Sequence, residues 1–420
     1  MTVDLDAPAT PLPAPAPARR RWLFALLIVV LLGQMAAVMV VTAVQQTPTI
    51  DEPVYVGTAV TYLEQHSLRY NPEHPPLGKL LMAAGLAVAQ PHLDPAFRGN
   101  QSDLGRHVLY EAGNDPYELM LLARLPIIIL TLLFGLVVFF FARDLAGPVG
   151  GLLALALYAF EPDIITHGSL ATLDVPAIGF LLTATWLLWR ARERPRLYLP
   201  LAGVALGAAL ATRMSVLPAV PILMLLAFLA VRRLRKAETA TAGPLPSAAA
   251  TAGLQPSAAA TAGPQPRAAA TAGPQPRAAA TVGLQPRAAA TAGPQPRGGA
   301  ATTAGWLWRG VGAAAGVGVI AVAVVWVTYL AVDPTLRWVQ PTGMPAVSGL
   351  RGLLVDWLPF PEAYRDGMRI QFGFEDSTFS GFLFGRHYQG SLWYYLPAAL
   401  LVKTPLGALV LWAAGAITML

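Results

Sequence analysis

Residues 22–44 read WLFALLIVVLLGQMAAVMVVTAV, an apolar run without a single charge. A helix needs about 20 such residues to cross the roughly 30 Å hydrocarbon core, whereas the apolar region of a signal peptide has about 7–15. Arg19, Arg20 and Arg21 stand immediately before the run, and no small-residue cleavage site leading to a soluble domain follows it. The stretch is therefore expected to be a retained first membrane helix with its arginines in the cytoplasm. Residues 1–21, rich in Pro and Ala up to Ala18, are expected to form a disordered cytoplasmic N-terminus.

Outward from that helix, the composition points the same way. Of the 420 residues, 55% are hydrophobic and 12% are charged, against about 25% charged residues in ordinary soluble domains. Further apolar spans run approximately over Glu118 to Ala142, Pro148 to Ala159, Val175 to Trp189, Leu197 to Thr212, Met214 to Val231, Trp306 to Val332 and Leu392 to Leu420. About eight crossings are expected. Arg143, the cluster Arg190, Arg192, Arg194 and Arg196, and the run Arg232, Arg233, Arg235 and Lys236 all fall on the side of Arg19 to Arg21. That distribution obeys the positive-inside rule and puts loops 45–117, 161–174 and 333–391 outside. Acidic residues outnumber basic ones in the first of these loops, and the second carries acids only.

The expected fold class is thus an all-α, multi-pass membrane protein. Residues 22–231 form a transmembrane core with outer loops 45–117 and 161–174, and residues 306–420 form a second transmembrane region with outer loop 333–391. Between them, residues 241 to 300 repeat a ten-residue unit such as Thr271 to Ala280, and a tract of Ala, Pro, Gly and Thr cannot bury enough surface to offset its ordering entropy. Residues 232–305 are expected to be a disordered cytoplasmic insertion. Its periodic Arg267, Arg277, Arg287 and Arg297 offer one charge per repeat to anionic headgroups, sparse beside the clusters of about 4–8 that hold such lipids.

Several function classes drop out. The net charge of +6 comes from 29 Lys and Arg against 23 Asp and Glu, with no basic stripe interleaved with aromatics, so no nucleic-acid partner is expected. With no cysteine there is no thiolate nucleophile, disulfide framework or cysteine-ligated zinc.

The chemistry-bearing residues gather in the outer loops. Asp51-Glu52 follows the first helix directly, between Pro48 and Pro53. Two adjacent carboxylates at a membrane exit can divide the work of removing a proton from a hydroxyl and orienting an acceptor or cation. They can equally be a solvated acidic turn or a helix cap. Asn71-Pro72-Glu73-His74-Pro75-Pro76-Leu77-Gly78-Lys79 turns the chain into an apolar segment, Leu77 to Gln90, too short to span and so expected to lie in the interface. Lys79 emerges one turn in, where a cation meets a lipid phosphate. Tyr55, Tyr62 and Tyr70 suit interface anchoring better than sugar stacking. Pro218 and Pro221 suggest a broken helix pair that leaves Arg213 near the outer face, and Gly203 with Gly207 suggest a close helix contact.

Four motifs in order carry a resemblance. Asp51-Glu52 with the Pro-Pro-Leu turn, then Ala123-Arg124-Leu125-Pro126, then Glu161 to Gly168 leading to Ala171-Thr172-Leu173-Asp174-Val175-Pro176, then Trp393-Tyr394-Tyr395-Leu396-Pro397 leading to Lys403-Thr404-Pro405-Leu406 together resemble glycosyltransferase family 39. These are the polyprenyl-phosphate-dependent enzymes that include protein O-mannosyltransferases and aminoarabinose transferases. The resemblance implies a GT-C-type multi-helix bundle with a large first extracytoplasmic loop containing interfacial helices. It also implies a sugar carried on a polyprenyl phosphate, with mannose a candidate, and transfer with inversion to a protein hydroxyl or a glycan or lipid acceptor. Asp51 takes the role of general base and Glu52 a supporting one. Arg124, Arg213, Lys79 and Lys403 become candidates to steady the departing phosphate, and Glu73, His74, His167 and Asp174 to orient donor or acceptor. Asp174 is also a candidate cap for the helix starting at Val175, and Arg124 for an ion pair with Glu118 or Asp174. No cofactor is fixed; a divalent cation requires Asp51, Glu52 and Asp174 to converge.

The expected place is the plasma membrane, with the site on the extracytoplasmic side and membrane lipids around it. The competing expectation is a membrane transporter or lipid-linked-sugar flippase lined by Arg124 and Lys403, and a third is a non-catalytic scaffold. Because Leu420 falls inside an apolar segment where members of the family generally carry further helices, the chain is also expected to be C-terminally truncated.

Overall fold

The computed structural model describes residues 18–231, 300–375, 378 and 380–418. The described residues are mostly helical. Helix α1 (Ala18–Gln45) leads to a first-loop group of α2 (Glu52–Glu64), α3 (Leu77–Leu86) and α4 (Gln101–Arg106), the last running on into a wider turn over His107–Glu111. Then come α5 (Pro116–Ala159), α6 (Pro162–Gly168), α7 (Asp174–Arg190), α8 (Pro195–Leu210), a 3-10 turn over Met214–Ala219, and α9 (Val220–Ala230). Beyond the repeat stand α10 (Ala300–Val332), α11 (Gly349–Trp357), α12 (Glu362–Glu375), an antiparallel hairpin of β1 (Ser380–Leu383) and β2 (Arg386–Gln389), α13 (Tyr395–Lys403) and α14 (Leu406–Thr418).

Among the described residues, three helical stretches, Trp22–Gln45, Pro116–Ala159 and Gly305–Val332, are long and apolar enough to cross a membrane alone. The pair α13 and α14, bent by 115° at the break, makes a fourth if it is one span. Helices α7 and α8 have 17 and 16 residues, about 25 Å of rise, close to the hydrocarbon thickness. The outward faces carry the apolar residues a lipid-facing surface requires, among them Val29, Val41, Ile129, Leu133, Ile178, Ile222 and Val319.

Helix α5 contains two of the expected spans. At Ala146 and Gly147 its backbone leaves helical geometry, with Gly147 at φ 76°, a value glycine adopts without a Cβ penalty, and Pro148 restarts the helix. The second piece folds back on the first, as the hydrogen bond from Tyr158 Oη to the Thr131 carbonyl (2.9 Å) shows. The basic residues gather at this break: Asp144 accepts from Trp186 Nε1 (2.9 Å) and Arg190 Nη1 (3.0 Å), and Arg190 also reaches Tyr198. At the opposite end lie the close of α1, the start of α5, the start of α7 and Arg213.

The expected small-residue contact forms between α8 and α10. A Cβ on Gly203 would stand 2.8 Å from Ile320 Cβ, and one on Gly207 would stand 2.6 Å from the Ala321 carbonyl oxygen, so only glycine admits this approach.

Several boundaries differ from the sequence reading. The first helix already includes Arg19 to Arg21, because arginine is a good helix former and nothing in Ala18 to Arg21 breaks the pattern. Helix α10 begins at Ala300, six residues inside the segment read as insertion, since Ala300 to Gly305 continue into Trp306 without a proline. Residues 1–17 and 232–299, which hold the expected disordered terminus and the arginine repeat, lie outside the described residues. The segment read as Leu77 to Gln90 is helical only to Leu86.

Candidate active site

The turn from α1 into α2 separates the two adjacent carboxylates completely. Glu52 is fully buried. Its Oε1 accepts from Arg124 Nε (2.8 Å) and the Ala171 amide (2.8 Å), and its Oε2 accepts from Arg124 Nη2 (2.7 Å), the Thr49 amide (2.9 Å) and Thr49 Oγ1 (3.0 Å). Burial on its own would raise the pKa of this carboxyl, but the Arg124 hydrogen bonds and the two amides outweigh it and the net shift is downward. Arg124 uses its remaining hydrogens on the carbonyls of Ala43 (2.6 Å), Gln46 (2.9 Å) and Thr47 (3.3 Å). One bidentate ion pair thus joins the end of α1, the start of α2, α5 and the loop before α7. The partner of Arg124 is therefore Glu52, not Glu118 or Asp174, because only Glu52 reaches into the space behind the α1 exit.

Asp51 has the opposite environment. It precedes α2, is exposed, and forms no cap hydrogen bond. Among the described residues no donor engages its carboxylate. Its charge is felt at the buried Tyr55 phenol one turn on, whose pKa is raised first by burial and then by Asp51, with Asp174 and Glu73 adding to the rise and Arg213 opposing it. Asp51, Glu73, Asp174 and Arg213, from four separate points of the chain, thus all act electrostatically on one phenol. Asp174 does not cap α7; Leu173 occupies that position and the Asp174 carboxylate is ion-paired with Arg213, both side chains part-exposed.

The Asn71 to Lys79 turn closes the site from below. Asn71 sits at φ 52°, a left-handed conformation asparagine tolerates. Its side chain donates to Glu73 Oε1 (2.9 Å), which also accepts from Gln101 Nε2 (2.7 Å). Lys79 is fully buried, and its ammonium donates to the Asn71 carbonyl (2.8 Å), Asn71 Oδ1 (3.0 Å) and the His74 carbonyl (2.7 Å). Burial without a direct carboxylate partner lowers its pKa to about 7, with Glu73 opposing. His74 packs edge-on to Tyr55 at 5.7 Å between ring centres, with its Nδ1 buried and unpartnered. Burial, then Lys79 and Arg213, push its pKa down to about 3, so the ring is neutral.

The structure therefore sets His74 in ring contact with Tyr55 and puts Asp51, Glu73 and the Asp174–Arg213 pair within electrostatic reach of it, with Glu52, Arg124 and Lys79 as buried supports. His167 is exposed at the end of α6, where its carbonyl accepts from Thr172 Oγ1 (3.3 Å), and Lys403 is exposed at the end of α13; neither side chain joins the cluster. Tyr55, Tyr62 and Tyr70 are all buried, Tyr55 and Tyr70 in the first-loop core and Tyr62 in the core shared with α7, α8 and α10, so they do not anchor an interface. The condition for a metal among Asp51, Glu52 and Asp174 is not met, since Glu52 is turned onto Arg124; among the described residues no three His, Cys, Asp or Glu side chains stand close enough to hold an ion. Gln101 and Thr49 are participants that sequence reasoning missed, and Asn71 and Ala171 stood in the quoted motifs without a role of their own. Of these only Thr49 had a signal, the Thr-x-x-Glu spacing of a capping box.

Compared with known proteins, residues 27–243 match the family model described as dolichyl-phosphate-mannose-protein mannosyltransferase, just over half of the chain and including every clustered residue above. No curated protein and no solved structure matches the chain. Because that match covers just over half of the chain, with the first-loop group and the clustered acids inside it, the chain belongs to the dolichyl-phosphate-mannose-protein mannosyltransferase family and is a membrane glycosyltransferase.

Proposed function

We propose that the chain moves a sugar from a polyprenyl-phosphate donor, with mannose the first candidate, to an acceptor hydroxyl on the extracytoplasmic side of the plasma membrane. The observation that carries this reading is the division between Asp51 and Glu52. One carboxylate is exposed and free to act as a base, while its neighbour is consumed in holding the corner that presents it.

In this reading Asp51 removes the proton of the incoming hydroxyl. The hydroxyl oxygen forms its bond to the anomeric carbon from the face opposite the phosphate. The bond from carbon to phosphate oxygen breaks, its electron pair leaves with the polyprenyl phosphate, and the configuration inverts. The leaving group is already anionic and needs no acid, but it gains from a cation in a water-poor site. Arg213 takes that part, because its guanidinium is part-exposed beside Asp174, whereas those of Arg124 and the ammonium of Lys79 are spent on internal acceptors. Neutral His74 and Asp174 orient sugar hydroxyls. The basic residues around Arg143 and Arg190 lie at the other end of the helices, which favours an outward-facing site.

The test is reconstitution into liposomes with polyprenyl-phosphate mannose and other polyprenyl-phosphate sugars, together with hydroxyl-bearing peptide, glycan and lipid acceptors. Transfer of one of these sugars with inverted anomeric configuration supports the reading. Movement of the donor across the bilayer without any transfer would overturn it in favour of a flippase.

A further inference from the structure

Helix α12 belongs to the third outer loop, beyond the part of the chain that matches the family model. It nevertheless packs directly against two segments of the site. At Gly367 the helix comes so close that a Cβ would overlap the Pro72 carbonyl oxygen and would stand 2.6 Å from Met214 Cε. Pro72 lies in the turn that carries Glu73 and His74, and Met214 follows Arg213. One turn further along α12, Gln371 Nε2 donates to the Glu73 carbonyl (3.1 Å). One turn back, Tyr364, fully buried, donates to the Leu210 carbonyl (3.3 Å).

These contacts share a consequence. The His74 turn and the Arg213 segment are 139 positions apart in sequence and come from different helix connections, and α12 is wedged against both. The helix is itself held by Asp366, which is fully buried, accepts from Trp338 Nε1 (2.8 Å) and pairs with Arg369; Arg369 also reaches Asp356 (2.8 Å). A wedge anchored on its far side can set a spacing; an unanchored one would only follow it.

We propose that α12, through Gly367 and Gln371, is a positioning element that sets the distance between the His74 turn and Arg213 across the site. Its residues touch neither donor nor acceptor in this account. They act on catalysis by fixing where His74 and Arg213 stand. The inference rests on the transferase reading for its effect on turnover, but the structural half of it does not.

The experiment uses the full chain in lipid nanodiscs with Gln371→Met, which keeps length and removes the donor, and Gln371→Lys, which restores one. Gly367→Ala is the stronger perturbation and is made in parallel, with Gln371→Met carrying the test where it fails to fold. Amide hydrogen exchange is followed across Asn71 to Lys79, and transfer is measured as separate kcat and KM values. Gln371→Met is expected to speed exchange in the turn about fivefold, the worth of one neutral hydrogen bond, with exchange in α7 unchanged. The same variant is expected to lower kcat by about five- to tenfold with a smaller change in KM, and Gln371→Lys is expected to restore both within about twofold. Unchanged exchange in Gln371→Met overturns the inference, and so does faster exchange with unchanged kcat. If the unsubstituted chain shows no turnover with any donor, the transferase reading fails, while the exchange comparison still decides whether α12 holds the turn.

Discussion

Replacing Arg124 with methionine removes the cation from one of the least accessible ion pairs in the described structure, with side chains 1% and 0% exposed. The Glu52 carboxylate then keeps the Thr49 and Ala171 donors but loses both guanidinium hydrogen bonds and its only opposite charge. Breaking one side of such a pair typically costs about 3–5 kcal/mol, because the remaining charge is buried uncompensated. Glu52→Gln should cost somewhat less, since Arg124 retains the carbonyls of Ala43, Gln46 and Thr47. The double variant should be no less stable than Arg124→Met alone, giving a coupling of at least about 2 kcal/mol between positions in direct contact. Titration of SDS into detergent-solubilised protein, followed by tryptophan fluorescence, measures all four stabilities. The pH dependence gives a second reading. The folded-state pKa of Glu52 is lowered, so its stabilisation is present above the ordinary value of 4.5 and is lost as pH falls through the folded value. Glu52→Gln should therefore flatten the acid limb. Single variants within about 1 kcal/mol of the parent, or a double variant equal to the sum of the singles, would falsify the idea that this pair holds the corner together.

Asp51→Asn should leave stability within about 0.5 kcal/mol of the parent, as expected for an exposed side chain without partners, while lowering kcat by about 10²–10⁴, the usual worth of a positioned base; unfolding and transfer assays on the same preparation check both. Arg213→Gln should cost at most about 1 kcal/mol of stability, the range of a part-exposed ion pair, yet slow turnover, and recovery of the parent rate would remove Arg213 from the account. His74 has a folded pKa of about 3 against an ordinary 6.5. Between those values the unfolded chain binds a proton that the native one does not, so stability falls as pH drops from 6.5 toward 3, by at most about 1.4 kcal/mol per pH unit, and His74→Asn should reduce that slope in unfolding titrations. Gly207→Leu should force α8 off α10 at a cost of about 1–3 kcal/mol, measurable by the same SDS titration; no loss would mean the two helices separate freely.

The helices were legible because lipid imposes one long apolar pattern and basic residues mark one side of it. Length alone could not reveal that Gly147 and Pro148 turn one span back on another, nor that Met214 to Ala219 tightens into a 3-10 turn before α9. For the candidate site, residue type and order singled out Asp51, Glu73, His74, Asp174 and Arg213, which the structure places near one another. The sequence could not apportion roles within Asp51-Glu52, because adjacent positions on a helix start differ in direction by about 100° and only the packing of α5 shows which one faces inward. Lys79 illustrates the same limit. Its spacing after the prolines suggested a phosphate ligand, and its ammonium instead holds together the turn from which it emerges. The contacts from Gly367 and Gln371 had no signal at all, since a backbone carbonyl almost 300 residues away leaves no trace in local pattern.

The most direct test of the central claim compares Asp51→Asn with Glu52→Gln in one set of liposomes carrying a polyprenyl-phosphate sugar and an acceptor. The account predicts a folded, inactive Asp51→Asn whose unfolding curve overlays the parent, and a Glu52→Gln that is destabilised and regains part of its transfer when assayed at low temperature where it stays folded. Full transfer by Asp51→Asn, or a Glu52→Gln of parental stability without activity, would contradict it.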